Sequence, residues 1–92
     1  MTKSFRHKGV RKIFETGSLA GIQPSHEARL ARQLARLNSA SLPGDMNIAG
    51  WRLHVLHGDM AGEWAVSVSG NWRLIFEFKD GDAINIDYED FH

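Results

Sequence analysis

The sequence predicts an α+β fold, with two N-terminal helices packed on a mostly antiparallel sheet of four to five strands. Three observations carry this. Apolar residues recur at helical spacing between residues 10 and 37. After residue 50 the spacing changes to alternation, the period of a strand with one buried face. Asp80-Gly81 then separates two alternating runs, which is a strong signal for a two-residue hairpin.

The elements follow in chain order. Residues 2–6 read as a short opening strand. Residues 7–15 read as a helix, because Val10, Ile13 and Phe14 fall at i, i+3 and i+4 and share a face. Thr16-Gly17 supplies its end, and residues 18–23 form a linker. Pro24-Ser25 opens a second helix, with Ser25 as its cap and Glu27 favoured by the helix dipole. Leu30, Ala31, Leu34 and Leu37 make its apolar stripe, which runs to about Asn38. Arg29, Arg32 and Arg36 stack on another face, either as a solvated surface or as contacts for an RNA backbone. A loop punctuated by Pro43-Gly44-Asp45 leads to four strand-like runs at 51–56, 63–68, 72–78 and 82–88. In the third-last of these, Trp64, Val66 and Val68 share a face. In the last, Ala83, Asn85 and Asp87 face one way and Ile84, Ile86 and Tyr88 the other. The helices must cover one face of the resulting meander, because a core needs two layers.

Composition narrows the class. Ninety-two residues, 42% of them apolar and 24% charged, suit one globular domain over 1–92. The absence of cysteine excludes disulfides, thiol chemistry and Cys-ligated zinc. No apolar stretch approaches the ~20 residues that span a bilayer. The opening Met1-Thr2-Lys3-Ser4-Phe5-Arg6 lacks the features of a signal peptide, so a cytoplasmic setting with no membrane partner is expected. The net charge of zero hides an asymmetry. Residues 1–50 hold eight Lys/Arg against three Asp/Glu, and residues 51–92 hold three against eight. A basic half is a candidate footprint for nucleic acid, unless the two blocks mix in space.

Three histidines, His54, His57 and His92, lie in the strand-rich half, and histidine is the side chain whose unperturbed pKa suits both acid and base work near neutrality. If Leu53 points to the core, His54 points outward. His54 and His57 are three apart on a strand and so face opposite sides, no His-Glu-x-x-His helix exists, and no metal site is expected. Neither Gly-x-Ser-x-Gly nor a phosphate-binding glycine loop is present, and no cofactor is expected. One reaction still suits these residues. RNA carries its own nucleophile, the 2′-hydroxyl. Cleavage needs a base, an acid for the leaving 5′-oxygen, and a cation for the phosphate. Histidine, aspartate and arginine suffice, and Arg73 in Asn71-Trp72-Arg73 can meet a phosphate with a bidentate guanidinium.

Nearly the whole chain resembles the HigB branch of the RelE/ParE toxin superfamily. The matching segments are Ser4-Phe5-x-His7-Lys8-Gly9, Leu53-His54-x-Leu56-x-Gly58-Asp59, Asn71-Trp72-Arg73-Leu74-x-Phe76, Gly81-Asp82-Ala83 and Tyr88-Glu89-Asp90-x-His92. Each is weak alone, and together, in order, they are specific. The resemblance implies a compact RelE-like toxin that enters the ribosomal A site and cuts messenger RNA. It also implies a HigA-like helix-turn-helix antitoxin, through which alone the toxin meets operator DNA. His54, Asp90 and His92 match positions the family uses for catalysis, and Arg73 matches a position that contacts phosphate. The roles of base and acid stay open among His54, Asp90 and His92. His57 stands where the family often has Lys, and Phe91 where it usually has Tyr. Both departures bear on the strength of cleavage, since His57 is a weaker cation and Phe91 lacks a hydroxyl but can still stack on a base. Two other readings share the fold: a ParE-like gyrase poison, which needs no acid–base pair, and a non-catalytic binding module.

Overall fold

The computed structural model describes residues 1–91. Helix α1 spans Lys8–Thr16 and helix α2 Glu27–Ser39. They precede four strands: β1 (His54–Val55), β2 (Trp64–Ser69), β3 (Trp72–Lys79) and β4 (Asp82–Asp90). The strands form one antiparallel sheet in the order β1-β2-β3-β4. The opening segment lies parallel to β4, with bridges Thr2–Ala83 and Phe5–Ile86, and extends that edge of the sheet. The α+β expectation therefore holds, and the fifth strand is reduced to two bridges.

Local chemistry explains the helix ends. His7 caps α1 by accepting the Val10 amide on Nδ1. Gly17 ends it at φ 77°, a left-handed conformation in which its N–H reaches the Ile13 carbonyl. Ser25 does not cap α2. It sits inside a 3₁₀ turn over Pro24–His26, and the long helix starts only at Glu27. The core face of α2 also differs from its apolar stripe. Leu30, Leu34 and Leu37 are buried as expected, but Gln33 is buried with them while Ala31 is exposed. Half of its amide is satisfied there: Nε2 donates to the Ser67 carbonyl at 2.9 Å, while Oε1 has no hydrogen-bond partner among the described residues.

The helices cover one face of the sheet. The main core joins Val10, Leu30, Leu34 and Leu37 to Val66, Val68, Leu74, Phe76, Ala83, Ile86 and Tyr88. Each fully buried Leu contributes about 1.5–3 kcal/mol. Trp72 stacks on Tyr88 with ring centroids 4.6 Å apart, and His26 meets both rings edge-on. His26 is itself buried, and its Nδ1 shares a 2.6 Å hydrogen bond with the Tyr88 hydroxyl. Burial pushes the Tyr88 pKa up, the Gln23 amide opposes this, and the Asp90 charge adds to it.

Strand β4 departs from simple alternation. Ala83 shares the helix-covered face with Ile86 and Tyr88, instead of the opposite face with Asp87. The cause is a bulge. The β3–β4 register slips between Ile75 and Glu77, and Asn85 takes φ 53° as the extra residue. Its amide N–H donates to Ser4 Oγ and its side chain to Glu77, both at 2.8 Å. The hairpin predicted at Asp80-Gly81 forms, with both residues at positive φ as a type I′ turn requires.

Two outcomes follow from these features. Asn85→Gly and Asn85→Ala both lose the side-chain hydrogen bond, but only Ala resists a positive φ. Urea unfolding should find the Gly variant more stable than the Ala variant by about 1 kcal/mol, and equal stability would contradict the bulge. Tyr88 is the only tyrosine, so the tyrosinate absorbance reports it alone. Its midpoint should lie above the ordinary ~10. A raised folded pKa gives stability that is complete below the unfolded value and lost as pH rises through the folded one. Unfolding midpoints of the wild type should therefore fall above about pH 10, and less so in Tyr88→Phe.

Candidate functional site

The face of the sheet away from the helices carries a pocket of about 330 Å³ lined by Arg52, His54, Ser67 and Arg73. Strand register assembles it. Ser67 pairs with Arg73 across β2 and β3, and His54 pairs with Ala65 one step along. Directly paired residues, and residues two apart on one strand, share a face. Leu53 packs against the main core, so His54 turns outward, as alternation requires.

The approach to His54 is irregular. The Ser67 amide donates to the Trp51 carbonyl at 2.6 Å, and the chain rejoins β2 at His54–Ala65. Between these contacts Arg52 adopts φ 54°. The predicted strand over 51–56 is cut to His54–Val55 for this reason, although the Leu56 amide still donates to the Glu63 carbonyl. The Arg52 carbonyl faces the His54 ring, and Nδ1 lies 2.7 Å from it.

Among the described residues, two polar atoms in the pocket are buried without a hydrogen-bond partner: His54 Nε2 and Arg73 Nε. An unpaired buried polar atom costs about 1–3 kcal/mol. The Arg73 guanidinium sits over the Phe91 ring, 4.9 Å from its centroid. Phe91 in turn packs on a small apolar patch of Leu56, Ala65 and Ile75, with Met60 at its side. Phe91 thus supports a cation through its ring, a role that needs no hydroxyl.

The other sequence-derived candidates are placed differently. His57 is exposed in the loop after β1 and does not line the pocket. Asp90 pairs with Trp72, which sets it on the helix-covered face, away from Arg73. His92 lies outside the described residues. Arg29 donates to the Gly50 carbonyl, and Arg36 Nε donates to the Asp45 carbonyl at 2.8 Å. Both fold back on the loop after α2, while Arg32 is exposed. Asp45 anchors that same loop, and the amides of Ser41 and Leu42 hold its carboxylate below its ordinary pKa.

Sequence reasoning missed Arg52 and Ser67, which line the pocket. Ser67 is unremarkable in an alternating strand, and only its register against Arg73 gives it meaning. Arg52 carries no signal for a left-handed backbone. Glu89, opposite Arg73, was also passed over. A hydrogen bond with Asp87 raises the Glu89 pKa, helped by partial burial and the charges of Asp87 and Glu63, while Arg6 opposes the shift. Arg6 binds Glu63 at 2.6 Å and Glu77 at 3.5 Å, which ties the basic N-terminal segment to this acidic end of the outer face. Among the described residues, no cluster of three or more His, Asp or Glu converges as a metal site, and no helix is long and apolar enough to cross a membrane.

An imidazole and two guanidinium groups thus line one pocket on the open face of a small two-layer α+β domain. The chain belongs to the HigB-like family, RelE-like toxins of type II toxin–antitoxin systems, which matches residues 3–92. It is 39% identical over 92 residues to Endoribonuclease HigB of Proteus vulgaris, covering the full length of both chains. It is 33% identical over 87 residues to Toxin HigB-1 of Vibrio cholerae serotype O1, covering 92% of each.

The orphaned atoms give a stability test. Arg73→Met keeps most of the apolar stem and removes a buried donor that has no partner. Its urea midpoint should equal or exceed that of the wild type, by up to about 1 kcal/mol. A loss above about 1 kcal/mol would mean that the guanidinium serves the fold.

Proposed function

We propose that this toxin is an endoribonuclease that cuts messenger RNA on the ribosome, with its chemistry in the pocket of His54 and Arg73. The observation that carries this reading is the pair of unpartnered buried atoms, His54 Nε2 and Arg73 Nε, in one cavity on an open sheet face. The endoribonuclease named in Proteus vulgaris, 39% identical over the full chain, supports the same activity.

In this reading the 2′-hydroxyl loses its proton to one histidine and its oxygen attacks the phosphorus. The phosphorus–5′-oxygen bond breaks, and the 5′-oxygen takes a proton from the partner acid. The products are a 2′,3′-cyclic phosphate and a 5′-hydroxyl end, with no external nucleophile consumed. His54 and His92 supply the acid–base pair. Arg73, steadied by Phe91, neutralises the charge that grows on the phosphate, and Arg52 adds a second cation. His57 and Arg32 contribute positive charge toward ribosomal RNA. The partner that silences the toxin is a HigA-like helix-turn-helix antitoxin, which also carries the complex to operator DNA, and the setting is the cytoplasm.

The test is cleavage of a short message on programmed ribosomes. His54→Ala should lower the single-turnover rate by roughly 10²–10⁴-fold, the usual worth of general acid–base catalysis. Arg73→Lys loses bidentate geometry and should cost about 10-fold or more. Phe91→Tyr should retain activity and Phe91→Ala should lose part of it. Undiminished cleavage by both His54→Ala and Arg73→Lys would sink the assignment, and DNA breaks without cut messages would point to gyrase instead.

A further inference from the structure

We propose that Arg52 is a positioning residue: its main-chain carbonyl, turned by a left-handed backbone, holds His54 in the tautomer that leaves Nε2 free to accept the 2′-hydroxyl proton. This rests on the reading of His54 as one member of the acid–base pair, and it decides which member His54 is.

The argument begins with a carbonyl oxygen, which only accepts. His54 Nδ1 lies 2.7 Å from the Arg52 oxygen, so Nδ1 carries the hydrogen and donates it. A neutral imidazole has one N–H, so Nε2 then bears the lone pair. Nε2 is also the ring nitrogen left without a partner, buried in the sheet-face pocket with Ser67 and the two arginines around it. The tautomer and the direction of the vacant nitrogen agree with a base.

The backbone that makes this contact is unusual. Arg52 has φ 54° although it is not glycine. That conformation brings the Cβ of an L-residue too close to the following carbonyl oxygen and is sterically disfavoured. It persists because both flanks are fixed, by the Trp51–Ser67 hydrogen bond on one side and by the His54–Ala65 pairing on the other. The strain is spent on pointing one carbonyl at one ring nitrogen. The same carbonyl serves the ring after proton uptake, because its negative end faces the N–H of the imidazolium. A main-chain dipole here does the work that an orienting carboxylate does in other acid–base sites. His54 thus takes the proton at Nε2, and the proton for the leaving 5′-oxygen comes from the other member of the pair. The Arg52 guanidinium lines the same pocket independently, so the backbone and the side chain have separable effects.

Substitution separates them. Arg52→Gly removes the guanidinium but keeps a positive φ accessible. Arg52→Val removes the guanidinium and opposes a positive φ. Long-range ¹H–¹⁵N spectra of the free protein, with the His54 signals identified by their loss in His54→Gln, read the tautomer directly. The wild type and Arg52→Gly should both show protonated Nδ1 and bare Nε2. Arg52→Val should lose that preference. On programmed ribosomes Arg52→Gly and Arg52→Val both lose the second cation and should slow cleavage, but Arg52→Val should lower kcat by a further 10-fold, roughly, or more. Protonated Nε2 in the wild type overturns the proposal whatever the activity, and stays decisive if Arg52→Val fails to fold. A retained tautomer in a folded Arg52→Val also overturns it. A wild type with bare Nε2 whose cleavage survives His54→Ala would instead refute the catalytic reading of His54 and leave the tautomer lock standing.

Discussion

The two-to-one pairing at Asn85 is the constraint on which the rest of the sheet depends. Strand β4 must bury Ala83 at one end and Ile86 and Tyr88 toward the other, and these spacings are incompatible with a period of two. One extra residue resolves the conflict. Asn85 accepts a left-handed backbone, for which Asn is among the better residues, and its amides bind Ser4 and Glu77. The opening segment then docks along β4, with the Arg6 amide on the Ile86 carbonyl. The same phase shift sends Asp87 and Glu89 to the open face and keeps Tyr88 against His26 and Trp72.

That open face carries both signs of charge. Arg52, His54 and Arg73 gather around one pocket, while Glu63 and Glu77 are held by Arg6. Glu89 pairs directly with Arg73, and Asp87 with Ile75, so β4 sets carboxylates next to the cations. Phe91 rests on the apolar patch of Leu56, Ala65 and Ile75. Pairing Arg6 with the nearly buried Glu63 satisfies a carboxylate that would otherwise be costly. The charge blocks of the sequence therefore meet in space: Arg6 crosses to the acidic half, as does the N-terminal amine, which lies 3.4 Å from Asp82.

The pocket is one of several places where a buried polar atom goes unpaired. Gln33 Nε2 reaches the Ser67 carbonyl and His26 the Tyr88 hydroxyl. Among the described residues Gln33 Oε1, Thr2 Oγ1 and Arg29 Nε still find no hydrogen-bond partner, and neither do His54 Nε2 and Arg73 Nε. The pocket differs in that two such atoms share one cavity, with the left-handed Arg52 beside them.

The sequence by itself determined the α+β class, the helix around Val10, Ile13 and Phe14, the leucines of α2, the Asp80-Gly81 hairpin and the outward turn of His54. These are consequences of local period and turn chemistry, and both are written in neighbouring residues. Its motifs also determined the family. The tertiary structure alone decided the bulge at Asn85, the burial of Gln33, the left-handed Arg52 and the convergence of Ser67 with Arg73. It also bonded Arg29 and Arg36 to carbonyls of the loop after α2, and set Asp90 on the face opposite Arg73. Each of these depends on cross-strand register or on a distant partner's carbonyl, which are long-range facts that no window of adjacent residues encodes. A histidine's period said which way it faces. Only the carbonyl folded against it said which of its nitrogens is free.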